Sequence, residues 1–99
     1  MKKTQAVLSV KFKSSFREVC LEDLDAFRNV LGLIQKYYLS EDASGAISGL
    51  YIFESKADRT LFWSSDLAGS IPARYSVIPE SLRVEEFEML IVLKDEVLA

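Results

Sequence analysis

The chain has 99 residues, with 12 Lys and Arg against 15 Asp and Glu, and its net charge is −3. A chain of this length predicts a single domain over residues 1–99, and its scattered basic residues offer no row of cations that could neutralise nucleic-acid phosphates. No segment approaches the roughly 20 apolar residues of a membrane-spanning helix, and the single cysteine, Cys20, suits a reducing cytoplasm.

The first two predicted elements are a strand and a helix. Between Gln5 and Lys13 apolar residues alternate with others, which is typical of a strand rather than of a signal peptide. Ser15 and Glu18 then have the spacing of a capping box, and apolar residues recur at helical intervals after them. We expect the first helix from about Phe16 to Val30, with Cys20 on its apolar side.

A predicted hairpin follows this helix. Gly32 is placed to end the helix, Gly32–Ser40 reads as a strand, and the polar stretch Ser40–Gly45 forms the loop before a second strand over Ala46–Glu54. If the loop is centred near Ala43, two cross-strand pairs are expected. These are Tyr37 with Gly49 and Gln35 with Tyr51, which would put Tyr37 and Tyr51 on one face and Lys36 and Tyr38 on the other.

The remaining chain predicts a second main helix and a last strand. Ser55 caps the helix, with Asp58 three residues later, and the apolar side is expected to consist of Ala57, Leu61 and Phe62. Asp66 is expected to cap a short turn that Pro72 stops. An irregular connection over Ala73–Arg83 leads to a strand over Val84–Leu93 and a tail over Lys94–Ala99 that extends over a partner chain.

The order strand, helix, strand, strand, helix, strand predicts an α+β fold, a ferredoxin-like sandwich with a four-stranded antiparallel sheet and two main helices. Three of the strands carry apolar residues on both faces. Two helices cover only one face of such a sheet, and a second copy of the chain is the simplest cover for the other. We therefore expect a homodimer.

The chain contains no histidine, no cysteine pair and no glycine-rich phosphate-binding loop. This excludes Ser/His and Cys/His nucleophiles and leaves nucleotide cofactors and thiolate-bound metals without support. Adjacent acidic pairs such as Glu85 and Glu86 point to opposite faces of a strand. We therefore predict no cofactor site and no metal site.

A few aromatic and basic residues remain as candidates for a binding cavity. Lys36 stands in the middle of an apolar strand, so it either reaches water at a sheet edge or meets a partner group or ligand oxygen. Trp63 is either a core residue or the wall of a pocket. The predicted catalytic residues are Lys36 and Arg59, and the predicted substrate-binding residues are Trp63, Tyr38, Tyr51 and Tyr37.

Several segments resemble the YdhR-like monooxygenases of the dimeric α/β barrel superfamily, which also contains the antibiotic-biosynthesis monooxygenases. The resembling features are Gly32, Lys36, the segment Ser48–Ser55, the helix with Phe62 and Trp63, and the closing segment Arg83–Leu90. The resemblance implies a protomer whose open sheet packs on that of a second chain and closes a barrel. It also implies oxidation of small aromatic or quinone-like compounds without flavin, haem or metal, with Trp63 as a pocket residue.

Three functions remain open on the sequence. The first is a cofactor-independent monooxygenase, in which the substrate's own carbanion reduces O₂ while the protein binds, deprotonates and shields it. The second is a non-catalytic homodimer that holds a small apolar molecule or none, and the third is an isomerase or lyase. The family's substrate-polarising asparagine has no counterpart, because the only asparagine, Asn29, lies at the end of the first helix. A cavity beside Trp63 with inward-pointing polar groups would favour the first function.

Overall fold

The computed structural model describes residues 5–13, 24–90 and 93. Its four strands form one antiparallel sheet in the order β2-β3-β1-β4. The strands are β1 (Ala6–Phe12), β2 (Leu33–Ser40), β3 (Ile47–Phe53) and β4 (Arg83–Glu88), and the helices are α1 (Leu24–Arg28), α2 (Lys56–Trp63), α3 (Asp66–Gly69) and α4 (Ile71–Arg74). A 3₁₀ helix over Pro79–Ser81 precedes β4. This arrangement confirms the predicted ferredoxin-like fold.

The core lies between the helices and one face of the sheet. In β1 this face carries Ala6, Leu8, Val10 and Phe12, all buried, as the predicted alternation requires. The Phe62 ring of α2 lies 5.0 Å from the Tyr51 ring and 5.6 Å from the Phe53 ring, measured between ring centroids. Aromatic packing of this kind contributes beyond the area it buries, so the Phe62 ring helps to hold α2 on the sheet.

The hairpin register differs from the prediction by one residue. Tyr38, rather than Tyr37, lies opposite Gly49, and Lys36, rather than Gln35, lies opposite Tyr51. A bulge between Leu33 and Gln35 then restores Leu33 to the position opposite Phe53. The predicted pairing of Tyr37 with Gly49 and Gln35 with Tyr51 is therefore wrong, and Tyr51 shares its face with Lys36 and Tyr38, not with Tyr37.

Serine hydroxyls start two of the helices. Ser55 Oγ accepts a hydrogen bond from the Asp58 backbone N–H at 3.1 Å, which confirms the predicted cap of α2. The cap of α3 is Ser65, not Asp66, because Ser65 Oγ accepts from the Ala68 N–H. Pro72 does not stop a helix as predicted, since it lies in the first turn of α4, where a missing N–H costs nothing.

The buried side of α2 also differs from the prediction. Phe62 is buried as expected, but Ala57 and Leu61 are exposed, and the other buried residue is Arg59. Hydrophobicity alone mispredicted which side of α2 is buried. The long apolar stem of an arginine can lie in a core while its guanidinium reaches backbone carbonyls.

Other predicted elements lie partly outside the described residues. Of the first helix only Leu24–Arg28 is described, so its capping box and Cys20 are outside, as is the tail. β4 ends at Glu88, which makes this strand shorter than the predicted Val84–Leu93. The connection before it is not wholly irregular, since it contains the end of α4 and the 3₁₀ helix. None of the described helices has the length and apolar character needed to span a membrane.

The second face of the sheet presents apolar side chains away from the described helices. The register places Leu39, Leu50, Ile52 and Phe87 on this face, together with Tyr37. Leu39 and Phe87 are each 49% exposed. We call this surface the open face.

Gly32 is required at the junction of α1 and β2. Its φ is +75°, and a Cβ there would lie 2.3 Å from Asp58 Cγ in the first turn of α2. We expect Gly32→Ala to lower the free energy of unfolding by about 1–3 kcal/mol, because it adds backbone strain and a steric clash. Urea unfolding of the purified protein measures this.

Gly69→Ala is the matched control, because a Cβ at Gly69 in α3 would meet no atom within 4 Å. This substitution should leave stability unchanged or raise it by up to about 1 kcal/mol. Equal effects of the two substitutions would contradict the role assigned to Gly32.

Candidate functional site

A cleft of about 280 Å³ lies between α1 and the outer strand β2. Aliphatic side chains from both elements and two aromatic rings form its apolar walls, and these residues are Leu24, Leu33, Ile34, Phe27 and Tyr38. The other lining residues are polar or basic, namely Arg28, Gln35 and Lys36. We call this the α1–β2 cleft. None of the described residues that line it is acidic.

The ammonium group of Lys36 lies among three aromatic rings at this cleft. Its Nζ is 3.2 Å from the centroid of the Phe27 ring, 4.1 Å from that of Tyr38 and 4.5 Å from that of Tyr51. A cation within about 6 Å of a ring face is attracted by the ring quadrupole, by about 2 kcal/mol where water is excluded. Lys36 therefore stands in an aromatic cage on the helix-covered face, although β2 is an outer strand.

Gly49 makes room for this cage. It lies opposite Tyr38 in the register, and a Cβ there would be 2.9 Å from Tyr51 Cε1 and 3.2 Å from Lys36 Cε. The missing side chain lets the lysine stem and the tyrosine ring cross β3 at this point. The hairpin register and one glycine thus fix the position of the positive charge.

Lys36 and Tyr38 also border a second, interior cavity under β3. Tyr51, Tyr75 and Ile71 close it from the other sides, and its volume is only about 10 Å³, so it holds at most one water molecule. At this point the described residues leave little free volume between helices and sheet, and a larger accessible volume lies in the α1–β2 cleft.

Trp63 and Tyr37 lie away from the α1–β2 cleft. The Trp63 ring packs at 6.5 Å from the Phe62 ring and its side chain is 36% exposed, and among the described residues Trp63 lines none of the clefts. Tyr37 lies on the open face, and its buried hydroxyl has no hydrogen-bond partner within the described part of the chain. The structure brings Lys36, Tyr38 and Tyr51 together, whereas Trp63 and Tyr37 lie apart from these three residues.

Arg59 joins three elements by backbone contacts. Its Nη1 donates to the Phe87 carbonyl at 2.9 Å and to the Val7 carbonyl at 3.3 Å, so it links α2 to β4 and β1. Its Nε lies 3.6 Å from a Glu86 carboxylate oxygen. Arg59 borders neither the α1–β2 cleft nor the interior cavity among the described residues.

A larger cleft of about 580 Å³ lies at the far end of the sheet, and charges of both signs line it. The Lys11 ammonium and the Ser44 hydroxyl both hydrogen-bond to Glu41 and hold the pKa of that carboxyl below its usual value. Glu80 and Arg83 add one further charge of each sign. This lining differs from that of the α1–β2 cleft, where both charges are positive.

Sequence reasoning identified Lys36 and Tyr38 as site residues but missed the other six described lining residues of the α1–β2 cleft, among them Phe27 and Arg28. Phe27 was interpreted only as part of the apolar side of a helix, and Arg28 was not considered. The spacing of Asp25 and Arg28, three positions apart, indicates a surface ion pair but no cleft. In the described part of the chain no three Cys, His, Asp or Glu side chains converge on a point where they could hold a metal ion.

No protein-family model and no curated protein matches the sequence. Solved structures do share its fold. NE2512, a protein of unknown function from Nitrosomonas europaea, has a TM-score of 0.74 at 14% identity, and the match covers 97% of this chain and 96% of that chain.

Two further structures carry names that refer to monooxygenases. A candidate antibiotic biosynthesis monooxygenase from Deinococcus radiodurans has a TM-score of 0.71 at 10% identity, covering 93% of this chain and 99% of its own. A monooxygenase from the gene ActVA-Orf6 of Streptomyces coelicolor, in complex with the ligand nanaomycin D, has a TM-score of 0.68 at 15% identity, covering 94% of both chains. Likeness at these identities establishes a shared fold.

We expect Arg59→Met to lower the free energy of unfolding by about 2–4 kcal/mol, because it leaves two carbonyls without their charged donor. Arg83→Met is the matched control, since Arg83 is exposed and its guanidinium donates to the carbonyls of the neighbouring residues Glu80 and Leu82. This control should cost at most about 0.5 kcal/mol. Equal urea midpoints for the two variants would contradict the structural role of Arg59.

Proposed function

We propose that this protein is a cofactor-independent monooxygenase-like protein that acts on small aromatic or quinone-like compounds in the α1–β2 cleft. The observation that carries the proposal is the ammonium of Lys36, held among aromatic rings beside an apolar cleft. The fold shared with the Streptomyces monooxygenase supports the proposal, as does the resemblance of the Lys36 and Ser48–Ser55 segments to the YdhR-like proteins.

In this proposal Lys36 stabilises the oxygen of a bound phenolate or enolate. A fixed positive charge beside a developing oxyanion lowers the barrier to deprotonation most effectively where water is scarce. Tyr38 contacts the substrate ring, and the Tyr51 ring packs against the Lys36 ammonium. Arg59, Trp63 and Tyr37 have smaller roles in this proposal than Lys36 and Tyr38. The described contacts of Arg59 and Trp63 are with protein groups, and Tyr37 lies on the open face.

The oxidation requires no electron donor other than the substrate. Removal of a proton from a ring CH₂ or phenol gives a carbanion or phenolate, which transfers electrons to O₂. For a CH₂ group that becomes a carbonyl, two C–H bonds are lost, one oxygen atom enters the product and the other leaves as water. The protein's contribution is to hold the anion and to exclude water from it.

A non-catalytic homodimer that binds a small molecule is the second candidate function. The observation that favours it is the small free volume that the described residues leave between helices and sheet beside Lys36, where the cavity measures about 10 Å³. A protein without a deep pocket can bind a ring at its surface without shielding it from water. This function predicts binding without O₂ consumption. An isomerase or lyase would exchange substrate protons, also without O₂ consumption.

We further propose that the protein works in the cytoplasm as a homodimer through the open face. Leu39, Leu50, Ile52 and Phe87 on that face form an apolar surface that the described helices do not cover. Packing against the same surface of a second chain would bury it and close a barrel around the two sheets. The single cysteine is compatible with a reducing compartment.

The activity is tested by following O₂ uptake with anthrones and hydroquinones. Lys36→Met should lower the uptake rate by about 100-fold, because it removes the charge that stabilises the oxyanion. Lys56→Met is the control, since Lys56 is an exposed α2 residue that pairs with Glu88 at 3.2 Å, and it should leave the rate unchanged. No uptake by the unaltered protein would contradict the oxygenase proposal.

The dimer is tested by light scattering at micromolar concentration. The unaltered protein should have the mass of two chains, and the double substitution Leu39→Lys, Phe87→Lys should give a folded monomer, because it places charges in the buried interface. Leu61→Lys is the control, since Leu61 is 58% exposed but lies on the helix side. A monomeric unaltered protein would overturn this proposal.

A further inference from the structure

We infer that the α1–β2 cleft selects aromatic anions of one or two rings, such as aryl carboxylates, and that Arg28 binds the anionic group at the mouth of the cleft. The inference rests on the proposed function, because it names the class of molecule that would reach Lys36. It assigns a role to Arg28, a residue outside the cage, and predicts a selectivity that a cavity for neutral quinols would not have.

The charge of the lining is the first observation. Arg28 and Lys36 are the two charged residues among the described residues of this cleft, and both are positive, in a protein whose net charge is −3. The cleft at the other end of the sheet mixes three cations with two carboxylates. The described residues of the lining thus contribute two cations and no carboxylate, and a lining of this charge favours anions over cations, so its occupant is expected to carry a negative charge.

The second observation is that Arg28 can exchange its partner. Its Nη1 lies 2.7 Å from an Asp25 carboxylate oxygen, but the side chains of Arg28 and Asp25 are 68% and 93% exposed. An ion pair so exposed to water contributes little to stability, so a ligand carboxylate can replace Asp25 at small cost. The guanidinium can bind that carboxylate through two parallel N–H donors, which gives orientation as well as affinity.

The third observation is the size and apolar character of the cleft. Its volume of about 280 Å³ is at the lower end of the range for small-molecule sites and corresponds to about nine water molecules at roughly 30 Å³ each. Leu33, Ile34 and Tyr38 in the lining offer a ring apolar contact. One or two fused rings fit this space, whereas an inorganic anion would leave the walls unused.

Calorimetric titration with 2-naphthoate and 2-naphthamide tests the inference, because the two probes share their rings and differ in charge. Naphthoate should bind at least tenfold more tightly at low salt. Arg28→Gln should remove most of this preference, and Asp25→Asn should strengthen naphthoate binding about twofold, because it frees the guanidinium. Lys56→Gln, which removes one positive charge outside the cleft, should preserve the preference.

Equal affinity for the two probes, or equal losses in Arg28→Gln and Lys56→Gln, would overturn the inference. Absence of naphthoate binding at millimolar concentration would also overturn it. These results are distinct from failure of the proposed oxygenase. Uptake of O₂ with a neutral hydroquinone but no preference for naphthoate would reject the selectivity alone, whereas selective naphthoate binding without any O₂ uptake would support the selectivity and reject the oxygenase.

Discussion

The contact of the Lys36 ammonium with the rings of Phe27, Tyr38 and Tyr51 is the interaction on which the candidate site depends. It requires α1 to bring Phe27 over β2 and requires β3 to lack a side chain at Gly49. A positive charge in apolar surroundings is costly unless other groups stabilise it, and here ring quadrupoles contribute to that stabilisation. The same arrangement leaves little free volume among the described residues beside β3, whereas the α1–β2 cleft offers about 280 Å³.

Two positions away from the cleft keep this arrangement in place. Gly32 allows the chain to turn from α1 into β2 against the first turn of α2, and Arg59 ties α2 to β1 and β4 through backbone carbonyls. The first acts through backbone conformation and the second through charged hydrogen bonds. The cleft is therefore built on a helix and a strand rather than on a loop, which favours a fixed site over one that forms only when a ligand arrives.

The sequence was sufficient to predict the fold, but it identified only part of the candidate site. Alternation in β1, the Ser55 cap and the order of the elements along the chain follow from local signals, and they predicted the fold correctly. The hairpin register is not local, because a one-residue shift in pairing exchanges the faces of every side chain. The sequence therefore identified Lys36 and Tyr38 but placed Tyr51 on the wrong face, and it could not associate Arg28 with a cleft that α1 and β2 form together.

The bulge between Leu33 and Gln35 has a consequence for how copies of the chain can associate. Within the sheet of described residues β2 is an outer strand, and an uninterrupted strand in that position is a template for strand addition by another chain. The bulge breaks the regular spacing of donors and acceptors along this border. Growth of the sheet from β2 into a continuous ribbon is thereby disfavoured, which leaves the open face as the surface for the proposed dimer.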